Sequence, residues 1–150
     1  MANELFQTGE EFVIRSSIQD SSLNFDADLE ISLYNDSTDG LTDDSGSEDV
    51  TTEPTGDGYA RDTITLDSAE ISTELNADGN FQFEFEDQVF DVEDSTQDVN
   101  AYVVFVNFES DVADDTEINE HLYFAGLLDQ EYDLGQIDEF VLRGTGLALD

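Results

Sequence analysis

The sequence predicts a mainly β fold, an antiparallel β-sandwich or jelly-roll-like barrel with a short N-terminal helix. Apolar and polar residues alternate over several short stretches, at the period of two that a half-buried strand requires. The most apolar run, VNAYVVFVNF at 99–108, is β-branched and aromatic, as suits a central strand. Polar turns separate these stretches, and no strand–helix alternation marks a parallel sheet.

In chain order, Leu5, Phe6, Phe12, Val13 and Ile18 fall near helical spacing, so a helix is expected over residues 3–18, weakened by Gly9. A turn at SSLNFDA leads into DLEISLYND, where Leu29, Ile31 and Leu33 alternate with Glu30 and Ser32 as in a half-buried strand. An acidic loop spans 36–57. GYARDTITLD then alternates through Ile64 and Leu66, and AEISTEL offers a short strand. Asp78-Gly79 marks a turn. In the following NFQFEFEDQVFDVE, Phe81, Phe83 and Phe85 share one face, with a bulge or corner before Val89, Phe90 and Val92. After the central strand comes a second acidic loop at 109–119. HLYFAGLLDQEYDLG and EFVLRGTGLALD supply two or three closing strands. Seven to nine short strands with polar turns make one β-sandwich domain over 1–150, with no internal repeat.

Composition fixes the setting. The chain holds 39 Asp and Glu against three basic residues, Arg15, Arg61 and Arg143, with no lysine and a formal net charge of −36. A chain so charged repels itself in dilute buffer. Disorder does not follow, because Leu, Ile, Val and Phe make up about 28% of the chain, above the ~20% below which disorder becomes the default. Screening resolves the conflict: in ~1 M salt the Debye length is ~3 Å and surface carboxylates barely sense one another. The absence of lysine, the usual solubilising residue at ordinary salt, points to an extremely halophilic setting. No basic stripe exists to neutralise phosphates, which excludes nucleic acid as a partner and disfavours anionic membrane surfaces. With no cysteine, disulfides and thiolate metal sites are excluded. MANELFQTGEEF has neither the basic nor the apolar region of a signal peptide, and no apolar run approaches a membrane span.

Catalytic motifs are not found. His121 is the only histidine, so a multi-histidine metal site within one chain is excluded, and no G-x-S-x-G elbow surrounds a serine. His121 is read as an ordinary strand-edge residue. Carboxylate pairs carry no signal where there are 39 acids to choose from.

The loop DSTDGLTDDSGSEDVTTEPTGDGYAR packs eight carboxylates and the single proline into residues 36–61. Asp36, Asp39, Asp43, Asp44, Glu48 and Asp49 miss the spacing of an EF-hand calcium loop. No cofactor is expected and no metal residue is assigned. Loosely bound cations on the loop stay open, and the main expectation is a solvated excursion returning to the core near Tyr59. Three arginines among so many acids imply specific bidentate pairs, within the fold first, at an interface or a ligand otherwise.

LYND at 33–36, TEPTGDGYAR at 52–61, and QVFDV with AYVVFV give the chain a pattern that resembles small β-rich virion structural proteins of haloarchaeal tailed viruses. The resemblance covers nearly the whole chain and has no active-site motif. It implies a non-enzymatic protein of the virion, made in the host cytoplasm at high salt and decorating the head as a capsid decoration or turret component. Its partners would be itself, as a homo-oligomer, and other virion proteins such as the major capsid protein, with apolar side chains of the C-terminal half buried between chains. A tail or baseplate position is the variant of this reading. A halophilic adhesin or carbohydrate-binding module, using Tyr34, Tyr59 or Tyr132 as platforms, is the alternative from another class, and a halophilic enzyme the third.

Overall fold

The computed structural model describes residues 4–19, 29–64, 71–75, 77–109 and 119–148. The SSLNFDA turn, Leu66 and most of the acidic loop at 109–119 lie outside them. The described residues form a mainly β fold of antiparallel sheets with one short N-terminal helix, as expected. The strands are β1 (Glu4–Leu5), β2 (Leu29–Tyr34), β3 (Asp62–Ile64), β4 (Ile71–Leu75), β5 (Phe81–Phe85), β6 (Gln88–Asp91), β7 (Asp98–Asn107), β8 (Glu120–Asp133), β9 (Glu139–Leu142) and β10 (Gly146–Ala148). A five-stranded sheet runs β1-β8-β7-β2-β3, a three-stranded sheet β10-β5-β4, and β6 pairs with β9 in a separate ribbon. Among the described residues these sheets stay open and no barrel closes.

The N-terminal helix is shorter than the 3–18 expected. Helix α1 spans Gln7–Ile14, and Glu4–Leu5 instead pair with Ala125 and Phe124 at the edge of β8. The Phe6 amide continues that pairing by donating to the Tyr123 carbonyl at 3.0 Å. A sheet edge with unpaired groups thus claims backbone that the apolar spacing assigns to the helix. At the other end, the Ser16 and Ser17 hydroxyls donate to the Val13 carbonyl, and the chain widens into a π-turn over Arg15–Gln19. Gly9, which lowers helix propensity, sits where a Cβ would collide with the Tyr123 carbonyl. Its lack of a side chain lets α1 press onto β8.

The main core lies between the five-stranded sheet on one side and β5, the β6–β9 ribbon and α1 on the other. Leu29, Ile31, Leu33, Val104 and Phe124 meet Phe12, Phe85, Phe90, Phe140 and Leu142 there. The Asp78-Gly79 turn joins β4 to β5, with Gly79 at φ 82, and the chain breaks at 86–87 so that Gln88–Asp91 leaves that sheet for β9. Central strand β7 is buried on both faces from Ala101 to Val106. Its second face carries a smaller core of Phe6, Tyr34, Leu41, Ala101, Val103, Phe105, Leu122 and Ala125. Register breaks at Val104/Phe105, and this bulge turns both Tyr123 and Phe124 toward the main core.

The acidic loop is, as expected, a strand-free and mostly unburied excursion, but it is anchored at Leu41, which is buried. It covers the second face of the sheet, with Leu41 buried in that core and Val50 packed against it; Pro54 is buried as well. For the same reason β2 is buried at both Ser32 and Tyr34, where a half-buried strand was expected. The loop also finishes the edge of β2. Strand β3 reaches only as far as Ile31, and beyond it the Leu33 amide donates to the Tyr59 hydroxyl at 3.0 Å and the Asn35 amide to Thr52 Oγ1 at 2.7 Å. Side chains of the loop stand in for the missing edge strand.

Candidate interaction face

The carboxylates of the 36–61 loop are largely structural. One-turn helix α2 (Asp36–Asp39) is capped by the Asn35 side chain. Asp39 then accepts from the Thr51 and Thr52 amides at 3.1 and 3.2 Å and from both their hydroxyls. Asp36 accepts from the Tyr34 hydroxyl and the Leu41 amide, Asp44 from Thr42, and Asp49 from the Gly46 amide. Asp43 and Glu48 are exposed. Among the described residues no group of three or more His, Asp or Glu is placed to hold a metal ion.

Arg61 closes the loop within the fold. Its Nε and Nη2 donate to Glu53 at 2.7 and 3.1 Å, Nη1 donates to Glu120, and the guanidinium lies 3.9 Å above the Phe105 ring. Burial opposes its charge, but the two carboxylates outweigh that and hold the proton more firmly than usual. Glu53 also accepts from Ser32 at 2.6 Å, tying the clasp to β2. Arg15 pairs with Glu11 one helical turn back and reaches the Glu109 carbonyl. Arg143 differs: its side chain is 73% exposed and meets Asp87 through Nε at 3.3 Å.

The tyrosine platforms divide. Tyr34 is buried and Tyr59 is half-buried, stacked on Phe90 with its hydroxyl bonded to Ser32, and burial pushes that hydroxyl up to about 12. Tyr132 stands edge-on to Phe140 and donates to Asp129 at 2.6 Å. It lines a groove of about 450 Å³ together with Tyr102, Leu127, Phe140, Val141 and Arg143. The groove exists because β8 bulges: Ala101 pairs with Leu127 but Val99 with Tyr132, so residues 128–131 arch away from β7. His121 is not an edge residue. It is buried at the start of β8, edge-on to Phe108, and its Nε2 has no hydrogen-bond partner.

No known protein family, curated protein or solved structure matches this chain.

One wall of the groove continues onto the open face of the β6–β9 ribbon, which the sequence reading did not single out. QVFD and EFVL both alternate, with Phe90, Phe140 and Leu142 turned inward and Val89, Asp91, Glu139 and Val141 outward. Register places Val89 opposite Val141, 50% and 36% exposed, and Asp91 opposite Glu139. The outward valines follow from period-two alternation; their pairing depends on register, which short strands do not announce.

Proposed function

We propose that this chain is a non-enzymatic structural protein acting through its surface in concentrated salt, as a component of a virion that decorates the head as a capsid decoration or turret. The observation that carries the reading is the paired Val89 and Val141, open to solvent on a chain of net charge −36. Ile14, Ile18, Leu75 and Leu127 are exposed as well, but Val89 and Val141 lie directly opposite each other in register and so form a continuous apolar face, the kind that association covers. Two of the three arginines are taken up by contacts inside the fold, so solvent meets an almost uniformly negative surface. In dilute buffer two such surfaces repel; in molar salt they approach within contact range. The viral assignment, with self and the major capsid protein as partners, draws on the pattern of LYND, TEPTGDGYAR and the QVFDV–AYVVFV pair.

Mass spectrometry of purified, salt-stable particles tests it: the chain at fixed stoichiometry to the major shell protein supports the reading, and its absence from particles removes it. A glycan-binding module is the second reading, favoured by Tyr132 and Asp129 in the groove. With Tyr34 and Tyr59 engaged in the fold, that reading rests on one aromatic platform. A glycan array in molar salt separates the two.

A further inference from the structure

We infer that the open face of the β6–β9 ribbon is a two-fold self-association surface whose occupant is a second copy of this chain. The inference rests on the reading of the chain as an assembling protein and names the surface that assembles.

On β9 the outward positions are Glu139 and Val141, and exposed Arg143 follows one residue past its end, so a carboxylate and a guanidinium flank a valine at equal sequence distance, about 7 Å on either side at strand spacing. On β6 the matching positions are Asp91 and Val89, and Asp87, just before the strand, pairs with Arg143. Two such faces can be laid together with the two-fold axis between them and perpendicular to the strands. The valine pairs then stack at the centre, and each Arg143 falls on the partner's Glu139. The contact is isologous, because the same patch serves both copies and closes on itself.

Charge supports this occupant over others. Arg143 is the one basic side chain of the three that is mostly exposed, at 73%, and the Asp87 carboxylate it meets is itself 56% exposed, so this guanidinium stands at the surface where a partner can reach it. At the opposite end, Asp91 and Glu139 sit directly across the ribbon, an arrangement of like charges that costs stability unless a cation approaches. A second copy brings that cation to the place that lacks one. Each end of the contact still gathers three carboxylates around one guanidinium, so the dimer closes only where salt screens the excess.

The test uses two full-length single variants, Arg143→Glu and Glu139→Arg, measured by sedimentation equilibrium in about 1 M KCl, where the screening length of ~3 Å is no longer than a contact ion pair. Circular dichroism in the same salt verifies that each variant keeps the β fold. The wild-type chain is expected to dimerise. Each variant should self-associate at least about tenfold more weakly, since symmetry places like charges at two contacts at once. Mixing the variants should restore association to within about threefold of wild type, because both 139–143 contacts in the mixed dimer pair opposite charges, as in the wild type. Dimers that ignore both substitutions place the interface elsewhere and overturn this inference, while particle composition still decides the virion reading. A chain that stays monomeric at ~100 μM in 1 M and 3 M KCl overturns it equally. Folded variants that weaken but fail to recover on mixing also overturn it, since complementarity between positions 139 and 143 is the claim.

Discussion

At the scale of single residues, Gly9 and His121 are where the packing is least forgiving. A methyl group at position 9 meets the Tyr123 carbonyl, a backbone atom in the middle of a sheet that cannot swing aside. Gly9→Ala raises helix propensity by up to ~1 kcal/mol, yet the collision, of the kind that costs about 1–3 kcal/mol in packed sites, outweighs it. The expected outcome is a less stable protein in chemical denaturation at molar salt, against the usual direction for a glycine in a helix. His121 is buried with Nε2 unpartnered, so its proton is unwelcome: burial lowers its pKa, only partly offset by Glu11 on α1, its hydrogen bond with the Phe108 backbone, Glu120 and Glu48. The unfolded imidazole titrates near 6.5 and the folded one lower, so between those values the unfolded chain holds more protons. Stability from this group is complete above about pH 7.5 and falls as pH drops through 6.5, by at most about 1.4 kcal/mol per unit. Comparing two proteins that differ only at position 121 isolates this group. His121→Phe keeps a ring against Phe108 and removes the nitrogen; the difference in unfolding free energy between it and wild type should change between pH 7.5 and 5.5. A constant difference would show that His121 does not titrate on unfolding.

At the scale of elements, the 36–61 strap and the β6–β9 ribbon contrast in how much their residues disclose. Strand identity was readable in β2, β5 and β7, because alternation or continuous β-branched burial leaves a local trace. The Asp78-Gly79 turn was readable for the same reason. The role of the strap was not. Its apolar content is Leu41, Val50 and Pro54, too sparse for a period, and its anchors are hydrogen bonds to β2 from Thr52 and Tyr59, 17 and 26 residues distant in sequence. Pro54 disfavours a paired strand, and the strap has none; the burial around it leaves no local signal. Likewise Glu139 and Arg143 are ordinary surface charges until register sets them on either side of a valine pair. Asp39 gives the strap a direct test, since one carboxylate gathers four donors from Thr51 and Thr52. Asp39→Ala strands those donors and should cost about 1–3 kcal/mol in molar salt, where the lost negative charge brings little relief. The strap should open before the sheet does. Hydrogen exchange at the Leu33 and Asn35 amides and proteolysis between residues 41 and 52 should both accelerate while the circular dichroism of the β sheets holds. If exchange at those amides were unchanged, the strap would not be what covers the edge of β2.

At the scale of the whole molecule, two kinds of carboxylate respond differently to salt. Those holding the strap and Arg61 act over contact distances, with the Glu53, Glu120 and Arg61 side chains only 23–33% exposed, so screening reaches them weakly. The remaining surface acids act over the screening length, which grows from ~3 Å at 1 M to ~10 Å at 0.1 M and ~30 Å at 0.01 M. Lowering salt therefore leaves the clasps in place while the net charge of −36 acts at increasing range against the fold. On the proposed reading association should suffer before folding, because two chains must bring whole negative surfaces together, whereas one chain has already buried its main core of Phe, Leu and Val. The measurement is a titration from about 3 M to 0.05 M NaCl, with mass followed by light scattering and fold by circular dichroism. Mass is expected to fall first and the β signal at lower salt, with the two midpoints clearly separated. Kosmotropic sulfate should hold the fold to lower ionic strength than chloride, because it also strengthens apolar burial. Coincident loss of mass and fold would mean that the domain does not stand without its partners. Flat signals down to 0.05 M would mean that charge repulsion is not what limits this protein, and the case for a high-salt setting would fall with it.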